Sequence, residues 1–549
     1  LNIYPPRALY FIFTLLNKVE GMKLDAAGEE VLDALLISIL DAGHVLNPWP
    51  ESGEVPRSLA QPEESIERNL WLVMEQAAAE WLRAAMPVNL MQGLELPHSS
   101  GLTIHRGRMR ELAQNMGTPA PGVIFSVVPR PYAAFWTFSA VWSAWLWGKE
   151  KAAGFMSILE RRRFDWNWHS LALQSAFAAA GKLCKAQTPV ISILPEPSSG
   201  LTNAVFNAAS TSSWQLKGVA AAGDAQPIQC LWRSSANAAA PVKANTQRII
   251  RDAIRQVLMS SGEPQSYTVL HAAILAALTS HNCLPADLGQ LRSDLPAQLN
   301  KEIATFFADN KFLRHLETPS ADLESGSWWL AQIEELPESL SDRVEAAFVS
   351  YLQQKPGLTC IEALDELSNL FTGFLSPPGG LVQSLLRSYT KQDAVSGKWK
   401  LNDHDLAEKR SEDGAKIQRL LRETGAKLGY EVAGENPIDW IEPGKGGTIA
   451  FRLFTSATAC IGQLARLAPV EGCQYVYLFP GSRALLIKDR VDRNPLLQQI
   501  TSVNWHFLKF RTMRHLAVRS DLSRELWALL IDSDPISPEE TTQLSMFTL

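Results

Sequence analysis

The sequence has no surplus of positive charge. Its 549 residues carry 51 Lys and Arg against 57 Asp and Glu, a net charge of −6. Any nucleic-acid surface therefore has to be a local patch, not a property of the whole chain. No two of the six cysteines, Cys184, Cys230, Cys283, Cys360, Cys460 and Cys473, lie within four residues of each other. That spacing excludes a CxxC zinc knuckle and a disulfide miniprotein. Widely spaced thiols in a long chain fit a reducing, cytoplasmic setting. Ten histidines are scattered without an HxxxH pair, so no metal is expected. Long apolar runs are also scarce. The longest, Tyr132–Gly148, is shorter than the roughly 20 residues of a spanning helix. It follows Pro129-Arg130-Pro131 and reads as a buried helix rich in tryptophan, so no membrane partner is expected. Pro5, Pro6 and Arg7 break the apolar start, and no signal-peptide pattern follows. The chain opens on Leu1, which predicts a start inside a longer reading frame, with part of a site upstream.

What is present is a globular composition, 46% hydrophobic and 20% charged. At about 100–200 residues per domain, the length predicts three to five domains. Residues 1–97 read as helical, with helices expected at Gly28–Ala42 and Pro62–Ala85. Residues 98–235 alternate strands and helices, which predicts a mostly parallel sheet. Gly122–Val128 and Pro189–Leu194 are nearly continuous apolar runs, typical of strands covered on both faces. Ser234–Ala244, rich in Ala, Ser and Asn, marks a boundary. Residues 245–335 and 338–402 each follow the plan helix, helix, helix, hairpin, which is the plan of a winged helix. Trp328, Trp329 and Trp399 are expected to anchor the wings. Residues 404–549 are α/β again, with a long charged helix, three strands, a helix at Thr458–Leu467 and further strands at Gln474–Leu478 and Trp505–Phe510.

Two segments concentrate positive charge. Residues 101–170 hold nine Lys/Arg against four Asp/Glu, and residues 481–530 hold the same numbers. In the first, Arg161-Arg162-Arg163-Phe164-Asp165-Trp166-Asn167-Trp168 interleaves cations with aromatic rings. Arginines supply phosphate contacts, and Trp166 and Trp168 supply stacking faces. In the second, Lys509, Arg511 and Arg514 are candidates for phosphate contact. A solvated basic face accounts for either segment without a ligand.

The order of elements around Gly107–Leu112, the apolar strand, the Pro-rich elbow and the aromatic helix resembles the second half of an amino-group DNA methyltransferase. More closely, Pro129-Arg130-Pro131, Ala134-Phe135-Trp136, Trp142 and Trp145–Glu150, together with Arg161–Trp168, resemble large methylase-like proteins of prokaryotic defence and restriction–modification loci. That resemblance implies a Rossmann-type sheet, S-adenosylmethionine as methyl donor and double-stranded DNA as partner. It also implies an elbow reading Asp-Pro-Pro-Tyr, whose Asp accepts from the target amino group and whose Tyr stacks on the flipped base. Here the elbow reads Val127-Val128-Pro129-Arg130. Losing such an acceptor costs about 10²–10³ in rate, so catalysis is expected to be lost. No Gly-rich cofactor loop follows a strand in this chain, so no cofactor is expected in it. Asp165 is the nearest replacement carboxylate, should activity survive.

The carboxy-terminal order of elements resembles the restriction-endonuclease fold. A metal-dependent nuclease needs an Asp on one strand and Glu-x-Lys on the next. Here Asp439 and Glu442 lie on or beside one strand, the next carries only Arg452, and Lys445 sits in the turn. The module is expected to bind and not to cut. The expectation for the whole is a cytoplasmic α/β multidomain chain with a methyltransferase-like sheet, winged-helix-like modules and a restriction-endonuclease-like C-terminal domain. Its expected role is DNA binding within a defence complex with other subunits. An active methyltransferase fragment and a protein–protein scaffold are the alternatives.

Overall fold

The computed structural model describes residues 3–47, 56, 59–84, 90–91, 101–105, 107–115, 121–130, 133–161, 165–185, 187–223, 226–234, 245–316, 322–333, 335–355, 357–393, 396–444, 447–467, 470–534 and 536. The architecture is α/β and comprises two compact units. One unit is Leu1–Pro121 with Pro129–Lys185, and the other is Gly122–Val128 with Ala186–Leu549.

The first unit is built from helices α1 (Pro6–Glu20), α2 (Ala26–Ala42), α3 (Leu70–Ala84), α4 (Met109–Asn115), α5 (Ala133–Trp147), α6 (Lys149–Arg161) and α7 (Trp166–Leu183). A two-residue parallel pair, β1 (Leu90–Met91) and β2 (Leu102–Thr103), accompanies them. Helix α2 starts where Asp25 accepts from the Gly28 N–H, satisfying a donor the helix cannot. Helix α3 starts at Leu70, not at Pro62. Asn69 Oδ1 accepts from the Trp71 N–H at 3.1 Å, so the cap lies later than the apolar spacing indicates. The core joins Ile12, Leu36, Ile39, Leu40, Ala134 and Phe138. Tyr4 is buried in it, donating to Leu40 O (2.8 Å) and accepting from Trp142 Nε1 (2.7 Å). One face of the aromatic run of α5 is thus core, through Phe138, Trp142 and Trp145, while Phe135 and Trp147 are about half exposed, which corrects the expectation of a wholly buried helix.

The second unit opens with β3 (Ile124–Val127), β4 (Pro189–Leu194), α8 (Ser199–Ser210), β5 (Trp214–Ala220) and β6 (Ile228–Ser234). The sheet order is β3-β4-β6-β5. β3 pairs with β4 in parallel, while β6 runs against both its neighbours, so β3, β4 and β5 point one way and β6 the other. The expectation of a mostly parallel sheet holds for three of the four strands, and β6 is an antiparallel strand that the sequence pattern does not announce. Strand β3 is not covered on both faces. It lies at the sheet edge and alternates, with Phe125 and Val127 each about two-thirds exposed.

The chain continues through α9 (Thr246–Ser261), β7 (Gln265–Ser266), α10 (Tyr267–Ser280), α11 (Leu288–Arg292), α12 (Leu295–Ala308), β8 (Leu313–His315) and β9 (Ser327–Leu330). These three strands form an antiparallel sheet ordered β7-β9-β8. The plan recurs in α13 (Leu340–Gln354), α14 (Cys360–Leu370), α15 (Gly379–Tyr389), β10 (Thr390–Gln392) and β11 (Trp399–Leu401). A single bridge from Leu358 to Trp399 takes the place of the first strand. Trp328 and Trp329 are buried, anchoring the first hairpin.

Last come α16 (Ala407–Lys427), β12 (Glu431–Ala433), β13 (Ile438–Ile441), β14 (Ile449–Thr455), β15 (Gln474–Phe479), α17 (Ala484–Arg493), α18 (Pro495–Thr501), β16 (Trp505–Lys509), α19 (Phe510–Ala517) and α20 (Arg524–Leu530). The five strands lie in sequence order, antiparallel from β12 to β14 and parallel from β14 to β16. Strand β15 is covered on both faces. Val476 and Leu478 join a core with Ile417, Leu421, Trp440 and Trp527. Tyr477 and Phe479 join another with Phe348, Leu385 and Tyr389. That second core is continuous with α13 and α15, so the second hairpin module and the five-stranded sheet share one interior. The helix expected at Thr458–Leu467 shrinks to a short turn of 3₁₀ helix at Gly462–Arg466. Its would-be donors are used elsewhere, since the Ala459 and Gly462 N–H groups bind Glu345 and Asp342.

Gly425 on α16 is a packing requirement. A Cβ there would meet Trp440 at 2.5 Å from Nε1 and 2.8 Å from Cε2. Trp440 is fully buried against Tyr430 and Trp527 and has nowhere to move. Gly425→Ala is therefore expected to destabilise the protein by about 1–3 kcal/mol. An unchanged urea midpoint of tryptophan fluorescence would contradict this packing.

Candidate nucleic-acid interface and the altered catalytic positions

The elbow that the resemblance marks as catalytic begins at the end of β3. Val127 is exposed and Val128 is buried, its N–H donating to Ile193 O at 2.9 Å. Neither side chain can accept a hydrogen bond from an amino group. From Pro129 the chain belongs to the first unit, where the elbow is fastened to α7. The buried His169 ring hydrogen-bonds to the Pro129 backbone, and burial pushes its pKa down. The Arg130 guanidinium lies over the Trp166 ring, 5.9 Å from its centroid. Pro129 and Arg130 thus meet the first turn of α7 within one unit, while Val127 and Val128 belong to the other.

Asp165 is the N-cap of α7 and accepts from the Trp168 N–H at 2.8 Å. As a cap, it is held in place by the helix it starts, which gives its carboxylate a structural task. Trp166 is half-buried and Trp168 is 40% exposed, so only the latter offers an open ring face. Arg161 ends α6. Arg162 and Arg163 lie outside the described residues. A target amino group would need an acceptor at this elbow that the side chains of valine, proline and arginine do not supply, and no step of methyl transfer follows from these side chains.

The second basic segment is paired within the chain. Lys509, at the end of β16, is buried and donates to Asp534 at 2.8 Å. Arg511 grips the same carboxylate through Nε (2.8 Å) and Nη2 (2.7 Å), and Thr512 donates to it at 2.7 Å. These donors hold the Asp534 carboxyl well below the usual carboxylate range. Arg514 pairs with Asp413 of α16. Each of these three cations thus faces a carboxylate of its own chain. Asp534 carries no signal in the sequence, because only the fold brings its segment back to β16.

The nuclease-like positions are also paired. Asp439 faces Arg452 across β13 and β14, which holds it with two bonds of 2.8 and 2.9 Å. Glu442 pairs with Arg524 at 3.0 Å. Lys445 lies outside the described residues. Among the described residues no group of three His, Cys, Asp or Glu could hold a metal ion. No helix among them is long and apolar enough to cross a membrane.

Sequence reading misses a buried ionic hub. Asp342 and Glu345, one turn apart on α13, share the guanidinium of Arg490 on α17. Arg490 also donates to Ser341 O (2.8 Å) and Ala459 O (2.6 Å). Tyr389 donates to Glu345, and Arg483 pairs with Asp405 while lying over the Tyr389 ring. The signal available in the sequence is two carboxylates on the apolar face that carries Val344, Phe348 and Leu352. A cavity of about 490 Å³ adjoins the hub, and Glu263, Asp342, Asp489 and Asp492 outnumber Arg490 and Arg493 in its wall. That balance makes it a poor seat for an anion. No family model matches this chain, and neither a curated protein nor a solved structure matches it.

Proposed function

We propose that the chain engages double-stranded DNA as a component of a prokaryotic defence or restriction–modification system. Its methyltransferase-like sheet acts as a scaffold and transfers no methyl group itself. The observation that carries this reading is the sheet order β3-β4-β6-β5, in which the last strand returns antiparallel between its two predecessors. The sheet keeps the order of strand, elbow, helices and strand on which the resemblance rests, and valine stands where that family places its Asp. Two winged-helix-like modules and a nuclease-like sheet whose acidic position is neutralised by Arg452 support the same reading. The two modules differ in use. In the second, α15 buries Leu381, Val382, Leu385, Leu386 and Tyr389 within the chain. In the first, α12 keeps Gln298, Lys301 and Thr305 exposed. The first module is therefore the one free to meet DNA, and the second is a joint to the C-terminal sheet.

The test is fluorescence anisotropy of a labelled duplex across a salt series, with and without S-adenosylmethionine. Affinity is expected to fall linearly on a log–log plot against salt, with no response to the cofactor. Tightening by the cofactor would favour an active methyltransferase. Absence of duplex binding would overturn the DNA reading in favour of a protein scaffold.

A further inference from the structure

Residues 245–335 are acidic overall, with seven Lys/Arg against eleven Asp/Glu. Five of the seven cations nevertheless gather on one side of the first module. Arg248, Arg251 and Arg255 fall on one stripe of α9, at spacings of three and four residues, and all three are exposed. The opposite face of the helix buries Ile250, Ala253, Ile254, Val257 and Leu258, which fixes the stripe toward solvent. Arg251 stacks on Phe312, its guanidinium 4.8 Å from the ring centroid. Phe312 precedes β8 and is flanked by the exposed Lys311 and Arg314. One ring therefore ties the helix stripe to Lys311, which precedes it in the chain, and to β8, which carries Arg314.

The charges are largely unanswered. Arg248 has Asp252 at 3.5 Å, with both side chains mostly exposed. Asp309 uses Oδ1 to accept from the Lys311 backbone N–H. Among the described residues, no carboxylate lies within ion-pair distance of Arg251, Arg255, Lys311 or Arg314. This contrasts with Lys509, Arg511 and Arg514, each of which faces an aspartate.

We infer that this α9/β8 surface is where the protein meets the phosphate backbone of duplex DNA, an assignment that rests on the DNA-engagement reading above. Arginine forks match phosphate oxygens two at a time. The aromatic ring beneath Arg251 holds one fork flat and reduces the entropy lost on binding. From Arg248 to Arg255 the stripe is about 10 Å long at 1.5 Å per residue. It therefore spans more than one phosphate of a strand that advances about 3.4 Å per nucleotide along the axis. An acidic protein tail would be attracted too, but it lacks the fixed spacing that a rigid helix and strand can read.

The experiment uses the full chain and a labelled 30-base-pair duplex. The variant Arg251→Ala/Arg255→Ala/Lys311→Ala/Arg314→Ala is compared with wild type across a salt series. Because the variant leaves four phosphates without a cation, the slope of log K against log salt is expected to become shallower by about 3–4. The companion variant Arg251→Lys/Arg255→Lys/Arg314→Lys keeps the charges and is expected to retain most of the slope, which separates removal of charge from damage to folding. Duplex binding by wild type with the same slope in the alanine variant overturns the α9/β8 assignment and leaves DNA engagement standing. No duplex binding by wild type overturns both. Competition by polyglutamate as strong as by unlabelled duplex would assign the patch to an acidic protein and overturn the DNA assignment.

Discussion

Replacing Arg490 with methionine is expected to destabilise the region around α13 and α17 by about 3–5 kcal/mol, the usual cost of leaving buried charge without its partner. Arg490 is the single guanidinium shared by Asp342 and Glu345, and both its own and their side chains are almost fully buried. It also satisfies the carbonyls of Ser341 and Ala459. Methionine matches the stem of arginine but answers neither carboxylate. The effect is local, so native-state hydrogen exchange of the α13 and α17 amides is the proper readout. Loss of protection there is expected, and unchanged protection would mean that the hub does not hold α13 to α17. The triple change Arg490→Met/Asp342→Asn/Glu345→Gln removes the charges together and is expected to recover a substantial part of the loss, because an intact buried pair adds little over a neutral filling.

The second large effect is a dependence on pH. Burial lifts the Asp342 carboxyl from 3.8 to about 7, against the pull of Arg490 and with a push from Glu345. A folded-state value above the unfolded one means the contribution is fully present below pH 3.8 and is lost as pH rises through about 7. His271 acts in the opposite sense. Burial depresses it from 6.5 to about 4, so its contribution is present above pH 6.5 and is lost as pH falls toward 4. The two run against each other over the same range and flatten the wild-type profile. Asp342→Asn removes one of them. Measured by the same exchange experiment from pH 4 to 7, this variant should gain on wild type steadily as pH rises. A constant difference would show that Asp342 is ionised throughout.

Much of the fold is legible in the sequence because its signals are local. The apolar stripe of α2, the aromatic packing of α5 and the apolar run of β4 each sit in a short stretch of residues. The plan of three helices and a hairpin is visible twice for the same reason. Strand β6 is hidden because its alternation (Ile228, Cys230 and Trp232 buried) runs into a linker-like tract, so the strand reads as the approach to a boundary. Strand β3 misleads because an apolar run does not reveal whether a neighbour lies on both sides. The basic segments stand out in the sequence, but their partners do not. Asp534 lies 25 residues from Lys509 and Asp413 lies 101 from Arg514, separations at which composition says nothing about pairing. The α9 stripe escapes notice because the module around it is acidic and its five cations are split between positions 248–255 and 311–314.

Strand β3 belongs to the second unit while the residues on both sides of it belong to the first. No single cut of the chain can therefore separate the units. Removing everything before Pro129 strips an edge strand from a sheet whose remaining strands lie beyond residue 188. The order of assembly is constrained as well. Strand β3 leaves the ribosome first and must wait for β4, across the 61 residues between Val127 and Pro189. Closing a flexible loop of that length costs about 4 kcal/mol by the logarithmic term alone, which a four-residue ladder hardly offsets. Folding of α5, α6 and α7 within that loop shortens the distance its ends must search. The edge of the sheet is thus an indirect reporter on the first unit: damage to the aromatic core around Tyr4 and Trp142 should slow the pairing of β3 with β4, although no residue of that core belongs to the sheet.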